Sequence, residues 1–147
     1  MNETKGPVAG GCFCGGVRYT VAAEPVAVRT CWCRDCQYLG AGSATVNVFF
    51  PAEAVAITGP LARFDSIADS GSPMIRTFCP VCGTQVTTAS AARPDVLGLR
   101  VGTLDDPSAF SPQVTIWTGS APHWAPIDRA IPHDPGQPAP IRITPTP

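Results

Sequence analysis

Apolar and polar positions alternate in short runs along most of the chain. Turn residues break the runs roughly every eight to twelve positions, the rhythm of an all-β domain. Residues 16–21 (GVRYTV) alternate as a half-buried strand does. Residues 26–30 form a second short run that leads into Cys31. Residues 45–50 (TVNVFF) are rich in β-branched and aromatic side chains and stop at Pro51. Further strands are expected at 55–57, 63–65, 75–78, 85–88, 96–101 and 114–117. Helical signal is weak: only residues 34–39, directly after Cys33, suggest a turn or two. No internal repeat is visible. The last sixteen positions, 132–147, hold six prolines. Proline lacks an amide donor, so this tail reads as an arm, either extended, wrapped along a sheet edge or disordered.

Composition narrows the class. A length of 147 residues suits one domain with a core of its own. We expect that domain over 1–133, with a Pro-rich tail at 134–147. Charged residues are 14% and the net charge is −1. There is no basic run, so nothing predicts a nucleic-acid partner. No apolar run nears the roughly 18 residues that span a bilayer, and residues 1–6 lack the apolar core of a secretion signal. A cytoplasmic location without membrane attachment is therefore expected, and the Asn2-Glu3-Thr4 glycosylation triplet reads as chance. In that compartment thiols stay reduced.

The seven cysteines change the picture most. They fall into Cys12-x-Cys14, Cys31-x-Cys33-x-x-Cys36 and Cys79-x-x-Cys82. An odd count does not fit a disulfide framework, but four plus three fits two metal sites. A closed tetrahedral zinc takes four protein ligands, and a reactive zinc takes three and keeps one position open. Cys79-Pro80-Val81-Cys82-Gly83 and Cys12-Phe13-Cys14-Gly15-Gly16 each place two thiols on a glycine turn. We expect Cys12, Cys14, Cys79 and Cys82 to hold a structural zinc. Cys31, Cys33 and Cys36 should hold a catalytic zinc, open to an incoming thiol and the more readily lost of the two ions.

Four segments carry a family resemblance: residues 10–19 (GGCFCGGVRY), 31–36 (CWCRDC), 76–83 (RTFCPVCG) and 102–107 (GTLDDP). With the short segment ending in Trp124, they resemble the glutathione-dependent formaldehyde-activating enzyme family, which includes the centromere protein V group. The likeness runs over roughly residues 9–135. It implies a β-tent, two small antiparallel sheets organised around the four-cysteine zinc site, with little helix. It also implies a carbon–sulfur lyase activity that joins, or splits, a small thiol such as glutathione and a small aldehyde such as formaldehyde. One departure is Trp32, where many members carry histidine; proton transfer would then need another group. Asp35 is a candidate, although a turn carboxylate or helix cap is the simpler reading.

A glutathione-like ligand carries carboxylates, which arginine grips bidentately. Arg34 and Arg76 are the candidates beside the cysteines, and Trp32 is a candidate pocket wall. Arg18, Arg29 and Arg100 lie within strands and face either solvent or a cleft. Trp117 and Trp124 read as packing residues, His123 and His133 as surface residues, and 103–105 as a turn. Two other functions fit the same cysteines. One is a zinc-stabilised scaffold without catalysis. The other is a thiol redox enzyme, because the β-tent also occurs in methionine sulfoxide reductases of the B type. Exposed strand edges leave room for a homodimer.

Overall fold

Period-two alternation decides what each strand of this protein does, because neighbouring side chains point to opposite faces. The computed structural model describes residues 7–143. Positions 1–6, with the glycosylation triplet, and 144–147 of the tail lie outside the described residues. Ten strands and one short helix follow in order: β1 (Val8–Gly11), β2 (Arg18–Val21), β3 (Ala27–Cys31), α1 (Arg34–Leu39), β4 (Thr45–Pro51), β5 (Val55–Thr58), β6 (Ala62–Ile67), β7 (Pro73–Phe78), β8 (Gln85–Ser90), β9 (Val96–Arg100) and β10 (Val114–Ile116). They form a three-stranded sheet, β1-β2-β5, and a seven-stranded sheet, β10-β3-β4-β9-β8-β7-β6. The fold is mainly β in two sheets, the small β-tent expected. Two details go beyond that expectation: the second sheet is more than twice the size of the first, and β10 joins β3 in parallel.

The two sheets share one core. Tyr19 and Val21 of β2 pack with Val28 of β3, Val48 and Phe50 of β4, Val86 of β8 and Leu99 of β9, each no more than 3% exposed. Burying an aliphatic or aromatic side chain of this kind contributes about 1.5–3 kcal/mol, so this layer stabilises the tent independently of any metal.

The opposite face of the large sheet is different. On β4, Val48 and Phe50 enter the core while Asn47 and Phe49 face the other way. On β9, Leu99 enters the core while Val96 and Arg100 face away. Arg29 and Cys31 of β3, Arg76 of β7 and Thr88 of β8 share that second side. Register places Asn47 directly across from Arg100 and Thr88 across from both Arg76 and Gly98. Gly98 leaves the space this face needs: a Cβ there would lie 2.8 Å from the Thr88 methyl and 2.9 Å from the Phe49 ring.

Beyond β10 the chain returns along the same edge. The amide of Asp134 donates to the Thr115 carbonyl at 2.9 Å, and the amide of Thr118 donates to the Asp134 carbonyl at 3.1 Å. The Trp117 indole donates to Gln137 Oε1 at 3.0 Å. Residues 132–141 thus run as an arm against β10 and the turn that follows it.

Candidate functional site

The seven cysteines gather into two groups, Cys12/Cys14/Cys79/Cys82 and Cys31/Cys33/Cys36. Within each, the sulfurs lie within 4.8 Å of one another. The quartet comes from two tight turns. One follows β1 and is closed by the Gly15 amide on the Cys12 carbonyl at 3.1 Å; the other joins β7 to β8 and is closed by the Gly83 amide on the Cys79 carbonyl at 2.9 Å. Gly15 (φ 81°) and Gly83 (φ 76°) adopt left-handed conformations, which glycine enters without steric cost. The Phe13 amide donates to the Thr84 hydroxyl at 3.1 Å and locks one turn to the other. The quartet therefore bridges the small sheet and the large one.

The donor set fits a tetrahedral metal ion. Metal–sulfur bonds of about 2.3 Å separate tetrahedral sulfurs by about 3.8 Å. Here Cys12 and Cys14 are 3.5 Å apart, and Cys14 and Cys79 are 3.8 Å apart. Hydrogen bonds already point at the sulfurs: the Val17 amide at Cys12 (3.2 Å), the Val81 amide at Cys79 (3.4 Å) and the Thr84 hydroxyl at Cys82 (3.2 Å). The Thr84 hydroxyl and amide hold the Cys82 thiol down at about 5. Cys14 is exposed and Cys82 half-buried, and none of the four lines the large cavity described below.

The triad is built differently. Cys31 ends β3, Cys33 caps the N-terminus of α1, and Cys36 lies in the first turn of that helix. The Cys36 amide donates to the Cys33 sulfur at 3.3 Å. All three are nearly buried, at 8%, 9% and 7% exposed. Bonds from Cys31 and Cys33 pull the Cys36 thiol far below the ordinary range, aided by the Thr45 hydroxyl and the charge of Arg100. The same bonds push Cys31 far up. A divalent cation bound by three thiols this close would displace their protons. This set also fits a metal ion, with one coordination position fewer supplied.

All three triad cysteines line a cavity of about 420 Å³ on the second face of the large sheet. Four arginines line it, Arg29, Arg76, Arg93 and Arg100, against a single carboxylate, Asp69. Arg93 is paired with Asp95 at 3.1 Å. Arg76 is 4% exposed and lies 3.6 Å from Asp35. Arg100 is 7% exposed and donates from Nη1 to Asn47 Oδ1 at 2.7 Å. Burial lowers its pKa, attraction to Cys36 partly offsets this, and repulsion from Arg76 adds to the lowering. Trp117, Gln137, Pro138, Pro140 and Ile141 close another side, so the Pro-rich arm is a wall of the cavity.

Among the residues named from sequence as substrate contacts, Arg76 lines the cavity, while Arg34 and Trp32 do not. Arg34 is exposed, donates to Gln37 Oε1 at 2.6 Å and stacks 5.1 Å from the Tyr38 ring. Trp32 is buried at 2% exposure and meets Trp124 edge-on at 6.4 Å. The indole at the cavity is Trp117. Asp35 also stands outside the lining and pairs with Arg76. Sequence reasoning missed Asn47 and left the direction of Arg100 open. The available signal was alternation: each is a polar residue placed between apolar neighbours that must face a core.

Among the described residues, no helix is long and apolar enough to cross a membrane. Comparison with known proteins gives a family and a fold. No curated protein matches the chain. A crystal structure of a Rhodobacter sphaeroides protein is similar, with a TM-score of 0.54 and 20% identity over 71% of this chain and 91% of that one. At that identity the likeness shows the fold alone. The sequence model described as glutathione-dependent formaldehyde-activating enzyme matches residues 7–120, a span that holds both cysteine groups and ends before the arm. The chain belongs to the glutathione-dependent formaldehyde-activating enzyme family.

Proposed function

We propose that this protein is a zinc-dependent carbon–sulfur lyase-type enzyme that joins, or splits, a small thiol such as glutathione and a small aldehyde such as formaldehyde. The observation that carries the reading is the asymmetry between the two cysteine groups: the triad lines the large arginine-rich cavity, and the quartet lies outside it. Cys12, Cys14, Cys79 and Cys82 hold a structural zinc that ties the sheets together, and Cys31, Cys33 and Cys36 hold a catalytic one. A zinc bound by the triad supplies a position where an incoming thiol becomes a thiolate.

The chain's own residues do the rest. The cavity, about 420 Å³, is of a size to take a thiol of tripeptide size. Arg100 and Arg76 make it attractive to anions, and Asp35 orients Arg76 from outside. In the forward direction a carbon–sulfur bond forms between thiol sulfur and aldehyde carbon. The carbonyl oxygen ends as a hydroxyl carrying a proton equivalent to the one the thiol lost, so no oxidant or reductant is required. With no histidine at position 32, that proton exchanges with solvent at the cavity mouth. We place the enzyme in the cytoplasm, where reduced thiols are abundant.

The test is direct. Zinc-loaded protein should consume formaldehyde and glutathione faster than the spontaneous reaction, with two zinc ions per chain. A rate equal to the protein-free background would reject this substrate pair.

A further inference from the structure

The Nε/Nη2 edge of an arginine is the fork that grips a carboxylate side-on. This molecule shows the fork in use twice on its surface. Arg63 donates from Nε and Nη2 to the two oxygens of Asp65, at 2.6 and 2.8 Å. Arg93 donates in the same way to Asp95, at 3.1 and 3.2 Å. Arg100 has the same fork, buried, and nothing fills it. Its Nη1 is occupied by Asn47, while Nε and Nη2 have no hydrogen-bond partner among the described residues. Arg76, also buried, leaves its Nε unpartnered, with Nη1 on the Ser66 hydroxyl at 2.5 Å.

Leaving charged donors buried and unpaired is costly. Arg100 is drawn electrostatically to Cys36, Cys31 and Cys33, yet no sulfur accepts a hydrogen bond from its open edge. Asn47 fixes the guanidinium from the neighbouring strand, so the fork is held in place before any ligand arrives. A second buried guanidinium close enough to repel it, that of Arg76, raises the benefit of an anion in the same cavity. Asp69 is the sole carboxylate on the lining, and it forms no ion pair with Arg100.

We propose that Arg100, oriented by Asn47 and supported by Arg76, is a carboxylate-binding subsite beside the three-cysteine centre, so that the substrate entering this cavity is an organic acid gripped by its carboxylate. The inference deepens the reading of the cavity as the substrate site, but it depends neither on the metal nor on the reaction. The carboxylate is one carried by the thiol partner, the larger of the two substrates. Pro138, Pro140 and Ile141 line another part of the same cavity and offer apolar contact to the substrate's aliphatic portions.

The test measures binding rather than turnover. The probe is S-methylglutathione, an acid without a free thiol, compared with its diethyl ester; Trp117 fluorescence and calorimetry report the affinity. The parent protein should bind the acid at least about tenfold more tightly than the ester. Arg100→Gln should weaken the acid by about 30-fold, as expected for lost charge-assisted hydrogen bonds, and leave the ester unchanged. Arg100→Lys should recover only part of the loss, because a point charge does not replace a fork. Arg63→Gln, outside the cavity, should change nothing. Equal affinity of the parent for acid and ester overturns the proposal even if the Arg100 variants fail to fold. So does an Arg100→Gln protein that loses metal yet binds the acid as the parent does, since Arg100 would then serve only the thiolates. A failed lyase assay with acid selectivity intact would remove the proposed reaction and leave the subsite standing.

Discussion

The two cysteine groups use one chemical element for opposite ends. The quartet lies in two glycine turns at the edge of the tent, partly open to water, with backbone amides aimed at its sulfurs. The triad lies at the end of a strand and the start of a six-residue helix, nearly buried, facing a cavity with excess positive charge. The quartet's turns are 65 residues apart in sequence, so a metal there closes a long loop and joins two sheets. The triad spans six residues, and a metal there constrains little that β3 and α1 have not already set. In the proposed function, position in the topology, more than thiol chemistry, separates the site that would hold the fold from the one that would be available for reaction.

This contrast can be broken by removing one ligand from each group. Cys79→Ser should have the largest effect on the fold: loss of one metal equivalent and a fall in thermal midpoint of about 10 °C or more, since metal binding there is folding energy. Cys33→Ala should cost only about 1 kcal/mol in thermal unfolding and lower turnover at least about 100-fold, with the quartet's metal retained. If both variants lose stability equally, the division of labour fails. Deleting residues 134–147 sharpens the comparison from the cavity side. KM should rise several-fold, with kcat within about twofold and the midpoint down by only a few degrees; an unchanged KM would show that the arm is not a working wall. The smallest effect is expected from Gln137→Ala, which frees the Trp117 indole. Stability should move by less than about 0.5 kcal/mol, while tryptophan emission shifts to longer wavelength.

Much of this was legible in the sequence because it is local. Alternation marked most strands to within a residue or two, and α1 occupies the 34–39 stretch expected of it. Cysteine spacing grouped the thiols because glycine turns act over a few residues. β1 was not recognised: Val8–Gly11 reads Val-Ala-Gly-Gly, with no alternation, and is a strand only because β2 lies beside it. β6 is six residues long where three were expected, since Ala62, Ser66 and Ile67 are held in the strand by pairing with Phe78, Met74 and Pro73 of β7. Arg100 sits in an apolar run, so its direction depends on which face of β9 meets the core, and that is settled by β4 on one side and β8 on the other. The parallel pairing of β10 with β3 joins residues some 85 positions apart, and the return of the arm joins residues some 20 apart. No short-range pattern records such contacts.

The wall contributed by the arm sets an order of assembly. Gln137 follows Trp117, the last lining residue before the arm, by twenty residues, so the arm is the last wall to be synthesised. The triad's thiols therefore lie, for about one to four seconds at ordinary synthesis rates, in a pocket whose strands have been made but whose arm has not. A metal ion arriving in that interval would not have to pass through the finished mouth, which would make loading of the nascent chain easier than loading of the completed protein.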